Sequence, residues 1–211
     1  MSSLPWPERV SLARRPRITL VTVDIRIYQA SFALLERDLE TLLEFIEPVE
    51  ANAACFSHRT YGLLLRSSTE FESLAKDLLL EAGNQKPPES MNIQDYRALE
   101  AHHHLEGVAV SFLLWRPDPR HVLPYQGWST AQPPLRWYQN YNTVKHNRNA
   151  QFPLASISTL IEAMAALFCL VAKASKFDWG PVSQATRDDL GERFMRGAFQ
   201  MRAPKLGVFP A

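Results

Sequence analysis

The run from Leu154 to Ala172 constrains this chain more than any other feature. It is almost wholly apolar, long enough for a helix, and carries a carboxylate, Glu162, near its middle. In lipid that carboxylate would be costly, and Ser156, Ser158 and Thr159 add further polar groups. The run therefore reads as a helix buried within protein, and no membrane partner is expected. A helix that is apolar on every side has to be surrounded, so the rest of the chain must supply a shell. Pro153 suits a first helical turn, where its missing N–H does no harm, and a helix is predicted over 152–176.

The shell is legible from its periodicity. Phe32, Leu35, Leu39, Leu42 and Ile46 recur at steps of three and four, which predicts a helix over 29–47 ended by Pro48. Its opposite face is acidic, with Glu36, Asp38, Glu40, Glu44 and Glu47. A second helix is predicted from about Ser57 to Glu81, with Leu64, Phe71, Leu74 and Leu78 as its stripe and Gly83 beyond its end. Glu72 and Lys76 form an i,i+4 pair there and read as a solvated face. Lys86-Pro87-Pro88 is a linker, and 92–104 reads as a shorter helix. Gly107 to Trp115 reads as a strand, paired with 122–125 or with a weak N-terminal strand over 17–25. After a proline-rich connection, helix resumes over 135–146.

The fold class expected is mainly α: a bundle of four to five helices with a small inserted β element. The whole of 1–211 forms one domain. Its core lies at about 29–82 and 135–176, a β/loop insertion at 105–134 and an irregular basic tail at 179–211. With 211 residues, 46% hydrophobic and 21% charged, the chain is neither disordered nor a disulfide scaffold. Cys55 and Cys169 read as separate reduced thiols, and the stretch before Arg17 lacks the apolar core of a signal peptide. The location expected is cytoplasmic.

Lys+Arg 23 against Asp+Glu 22 gives a net charge of only +1, so attraction to nucleic acid has to be local. It is local between Asp118 and Glu162. That stretch holds no acid and contains Arg120, Arg136, Lys145 and Arg148, with His121 and His146 beside them. Tyr125, Trp128, Trp137, Tyr138, Tyr141 and Phe152 are interleaved with these cations. Cations hold phosphates and rings stack on bases, which is what a single-stranded RNA path requires. The same rings also read as closure of the core beneath the proline-rich loop. Arg136, Tyr141 and Arg120 are the candidate RNA contacts.

The sharpest segment is Tyr141-Asn142-Thr143-Val144-Lys145-His146-Asn147-Arg148. On a helix, Asn142 and His146 stand one turn apart on one face. An imidazole can exchange a proton with a ribose 2′-OH or a leaving oxygen near neutral pH. Lys145 and Arg148 could hold the phosphate, and Asn142 could orient the ring. His146, Asn142, Lys145 and Arg148 are thus the candidate catalytic residues, with no metal and no cofactor required. Three consecutive histidines, His102 to His104, point about 100° apart on a helix and do not converge on a metal.

This segment, with the long apolar helix after it, resembles the HEPN superfamily. Those all-helical domains occur in toxin–antitoxin, antiphage and RNA-processing systems. By position, His146 matches the family histidine and Asn142 the family polar residue. The family arginine would fall at Gln139, Asn140 or Tyr141, and none is arginine. The resemblance implies RNA binding or metal-independent RNA cleavage, with a composite site across a homodimer. It also suggests that Arg66 and Glu70 face His146 across the bundle. The alternative is a non-catalytic interaction module. There Tyr141, Asn142 and His146 form a buried polar network, and the acidic first helix docks a basic protein partner or a second copy.

Overall fold

The computed structural model describes residues 22–128, 135–175 and 197–202. The protein is mainly helical, with a small antiparallel sheet. Helix α1 (Ile25–Leu43) starts a turn earlier than its stripe suggests, because the Asp24 carboxylate accepts the Arg26 N–H at the N-cap. It ends at Glu44, before Pro48. Phe32, Leu35, Leu39 and Leu42 are buried as the stripe predicts.

Helix α2 (His58–Glu81) opens with a capping box. The Ser57 hydroxyl accepts from the Thr60 N–H, and the Thr60 hydroxyl accepts from the Ser57 N–H. It closes at Gly83, whose φ of 88° turns the chain out of the helix. The 92–104 region is not one helix. It breaks into α3 (Ile93–Tyr96), a 3-10 turn and α4 (Glu100–His103), stopped by His104 in the left-handed region.

Helix α5 (Arg136–His146) and the short α6 (Arg148–Gln151) lead to α7 (Ile157–Ala174). The last helix begins later than predicted, because Phe152–Leu154 form a separate 3-10 turn around Pro153. Ser156 caps α7, and its first free N–H groups are already bound. Ile157 donates to the Cys55 carbonyl and Ser158 to that of Ala53. The same contacts pin the start of α7 to the loop before α2. Helix α7 is long and apolar enough to cross a membrane but is mostly buried against α2, α1 and α5. Cys169, on this helix, is fully buried, and burial pushes its thiol up to about 12; both cysteines are free.

The sheet has the order β2 (Arg120–Val122), β1 (Ala109–Phe112), β3 (Phe199–Arg202). Phe112 lies opposite Arg120 on one side and Phe199 on the other. β1 therefore pairs with β2, which reaches into the expected 122–125 partner at Val122, and on its other edge not with an N-terminal strand but with residues of the tail expected to be irregular. Of the predicted strand over 17–25, Ile25 is helical and 17–21 lie outside the described residues, as do 179–196 and 203–211 of the tail. Phe199 is fully buried against Phe32, Phe112 and Phe168. The Glu36 carboxylate receives the N–H groups of Ala198 and Phe199. It sits where a Cβ on Gly197 would be, so any other residue there would push the Glu36 carboxylate aside.

Candidate nucleic-acid interface

Helix α5 divides the sequence-predicted residues by face. Trp137, Tyr141 and Val144 point inward, with Trp137 donating its Nε1–H to the Pro124 carbonyl at 2.9 Å. Phe71 of α2 is the hub of this aromatic core, touching Tyr96, Tyr125, Trp128, Trp137 and Tyr138. Tyr125 and Trp128 stack on each other at 4.6 Å. Tyr125, Trp128, Trp137 and Tyr141 of the acid-free stretch are therefore buried core, and no base can stack on them, while Tyr138 and Phe152 are half-buried. Tyr141, 1% exposed, is excluded as an RNA contact.

The acid-free stretch is acid-free only in sequence. Arg120 donates to the Ser158 hydroxyl at 2.8 Å, lies over the Trp115 ring at 4.7 Å and stands 3.6 Å from the Glu50 carboxylate. Its side chain is only 21% exposed. These contacts leave Arg120 a structural cation rather than an open RNA contact. Glu162 lies close to both Arg136 and Arg120. Burial raises its pKa, and the two guanidiniums pull it back down. Tyr138 donates to the Glu72 carboxylate at 2.7 Å, so Glu72 is held by the core rather than solvated beside Lys76. Arg136 is exposed on the first turn of α5, about 15 Å along the axis from His146. It does not join the His146 group.

His146 and Asn142 are exposed, one turn apart on the outer face of α5. No hydrogen bond links them, so Asn142 does not orient the ring, and the pair forms no buried network with Tyr141. Lys145 and Arg148 are exposed too, but their charged heads rest on aromatic rings. The Lys145 ammonium donates to the Tyr141 hydroxyl at 2.9 Å, which raises its pKa. The Arg148 guanidinium lies 5.6 Å from the Tyr61 and Phe152 ring centres. Arg66 pairs with Asp38 of α1 and does not reach across to His146.

Sequence reasoning missed the side chains on the far side of Arg148. The pinned start of α7 sets Phe152 against the first turn of α2, where it touches Phe56, His58 and Tyr61 at 5.1–5.9 Å between ring centres. Arg59 lies over Phe45, which is 72% exposed; Phe56 is 44% exposed. One signal was available: Phe45 falls off the apolar stripe of the helix predicted over 29–47, on its polar side. Among the described residues no group of histidine, cysteine and carboxylate side chains is placed to hold a metal ion. Compared with known family models, curated proteins and solved structures, the chain matches none.

Proposed function

We propose that this protein is a HEPN-like RNA-binding protein whose contact residue, and proton-transfer group if it cleaves, is His146. The observation that carries this reading is the open position of His146 on the last turn of α5, beside Asn142, Lys145 and Arg148. A sealed imidazole could exchange no proton with a ribose hydroxyl; this one stands in solvent, with exposed Lys145 and Arg148 close to it in the chain. The resemblance would place such a protein in a toxin–antitoxin or antiphage system. RNA binding and cleavage by wild type and His146→Ala, with and without chelator, test the proposal. Cleavage that survives chelator and is lost in the variant supports the endoribonuclease. Binding without cleavage, weakened in the variant, supports a non-catalytic RNA binder. No binding and no cleavage by wild type defeats both.

A second reading draws on a separate feature. A cleft of about 450 Å³ lies between the end of α1 and the β1–β2 connection, lined by Glu40, Glu44, Leu113, Leu114 and Pro117 and by the Glu47–Arg116 ion pair. The carboxylates of Glu40 and Glu44 beside apolar side chains suit a basic protein segment, supplied by another protein or by a second copy's α5–α6 end. Sedimentation at low and high salt tests the homodimer, which should weaken as salt rises. A salt-independent monomer at micromolar concentration removes it.

A further inference from the structure

We infer that the surface formed by the end of α1, the start of α2 and the 3-10 turn before α7 is a stacking platform for unpaired bases. Its ligand is single-stranded RNA rather than duplex. The inference rests on the RNA-binding reading above and names the form of RNA that this surface selects.

Three observations meet there. First, the rings are accessible: Phe45 and Phe56 are exposed, and the half-buried Phe152 touches Phe56 on one side and the half-buried Tyr61 on the other. Second, two guanidiniums lie on the rings: Arg59 over Phe45, and Arg148 over Tyr61 and Phe152, while the His58 ring packs on Phe152. Third, the charge is available. Two acids of the segment after Phe45, Glu47 and Glu50, face Arg116 and Arg120 of the β1–β2 region at 3.1 and 3.6 Å. Arg59 and Arg148 have no carboxylate within 4 Å among the described residues, although Glu44 adjoins Phe45 in the chain.

The chemistry follows from this arrangement. A guanidinium that rests on a ring can swing to a phosphate and leave the ring face to a base. Such stacking tolerates every base, because each has a π-face. A duplex keeps its bases stacked on one another and offers the rings nothing, so it would contact the cations alone. Arg148 joins this platform to the His146 end of α5, so a strand laid across the rings runs toward the imidazole.

The test uses the full chain and two labelled probes, a twelve-nucleotide oligouridine and a twelve-pair RNA duplex, followed by fluorescence anisotropy. Wild type is expected to bind the single strand at least tenfold more tightly. Phe45→Ser with Phe56→Ser should remove about fivefold or more per ring from single-strand affinity and leave the duplex unchanged. Both rings are exposed, so the fold is retained, which an unchanged melting temperature verifies. Arg59→Ala should lower the salt slope of single-strand binding by about 0.7. Photocrosslinking of 4-thiouridine probes should label peptides holding Phe45, Phe56 or Phe152. Equal affinity for strand and duplex, or undiminished strand binding by the double variant, overturns the platform even where His146→Ala still abolishes RNA binding or cleavage. Loss of self-association in the double variant, with RNA binding intact, assigns the rings to a second copy instead. Failure of wild type to bind either probe removes the parent reading together with this one.

Discussion

Arg120 and Arg148 come from one acid-free run of sequence, and the fold gives them opposite surroundings. Arg120 enters a pocket of partners contributed from elsewhere: Trp115, Ser158 and Glu50, with Glu162 close behind. Arg148 meets rings and has no ion pair among the described residues. Local charge in a sequence thus sets the sign of a segment and not the field at its surface, because neutralising groups arrive from distant positions. Helix α5 repeats the division on one element, with Trp137 and Tyr141 sealed inside and Asn142 and His146 outside.

The largest effect expected from that division is on its inner side. Trp137→Ala should cost about 3–5 kcal/mol, read by denaturant unfolding, since it empties a packed site and strands the Pro124 carbonyl. A cost under about 1 kcal/mol would mean that the inner face is not the structural one. Arg120→Ala comes next, at about 2 kcal/mol and several degrees of melting temperature, from its lost ring contact and charged hydrogen bond. Its RNA affinity should not change; a drop in affinity with stability intact would place Arg120 back among the RNA contacts.

A smaller effect is set by pH. The ordinary value for Glu162 is 4.5, and in the folded protein it is raised, chiefly by burial. Just above 4.5 the native state therefore binds more protons than the unfolded chain, so this group makes stability fall as pH rises. Glu162→Gln should remove that fall. Relative to wild type, its melting temperature should gain between pH 4.5 and 7. Parallel curves would show that Arg120 and Arg136 fully offset the burial. The smallest stability changes belong to the outer face. His146→Ala and Arg148→Ala should each lie within about 0.5 kcal/mol of wild type, while each weakens RNA binding. A melting temperature several degrees lower in His146→Ala would favour the scaffold reading.

The readable parts of the fold were those fixed by local pattern. The stripes of α1 and α2, the Ser57 and Gly83 boundaries, and the buried character of α7 all follow from spacing within a few turns. β3 was not readable. Four residues with a plain alternation sit in a basic tail, and their partner β1 lies about ninety positions away. In the candidate site, the helical register that puts Asn142 and His146 on one outer face followed from sequence alone. The burial of Tyr141, the capture of Arg120 and the arrival of Phe45, Phe56 and Phe152 beside Arg148 depend on tertiary packing, which no local pattern encodes.

The Glu36 clamp on the start of β3 bears on how the chain matures. Ribosomal synthesis makes every described helix before it makes Phe199, so the contacts of that ring with Phe32 and Phe168 form only once the helices have been made. During that interval the β3 side of β1 is an open strand edge, a row of unpaired N–H and C=O groups that only the last-made strand closes.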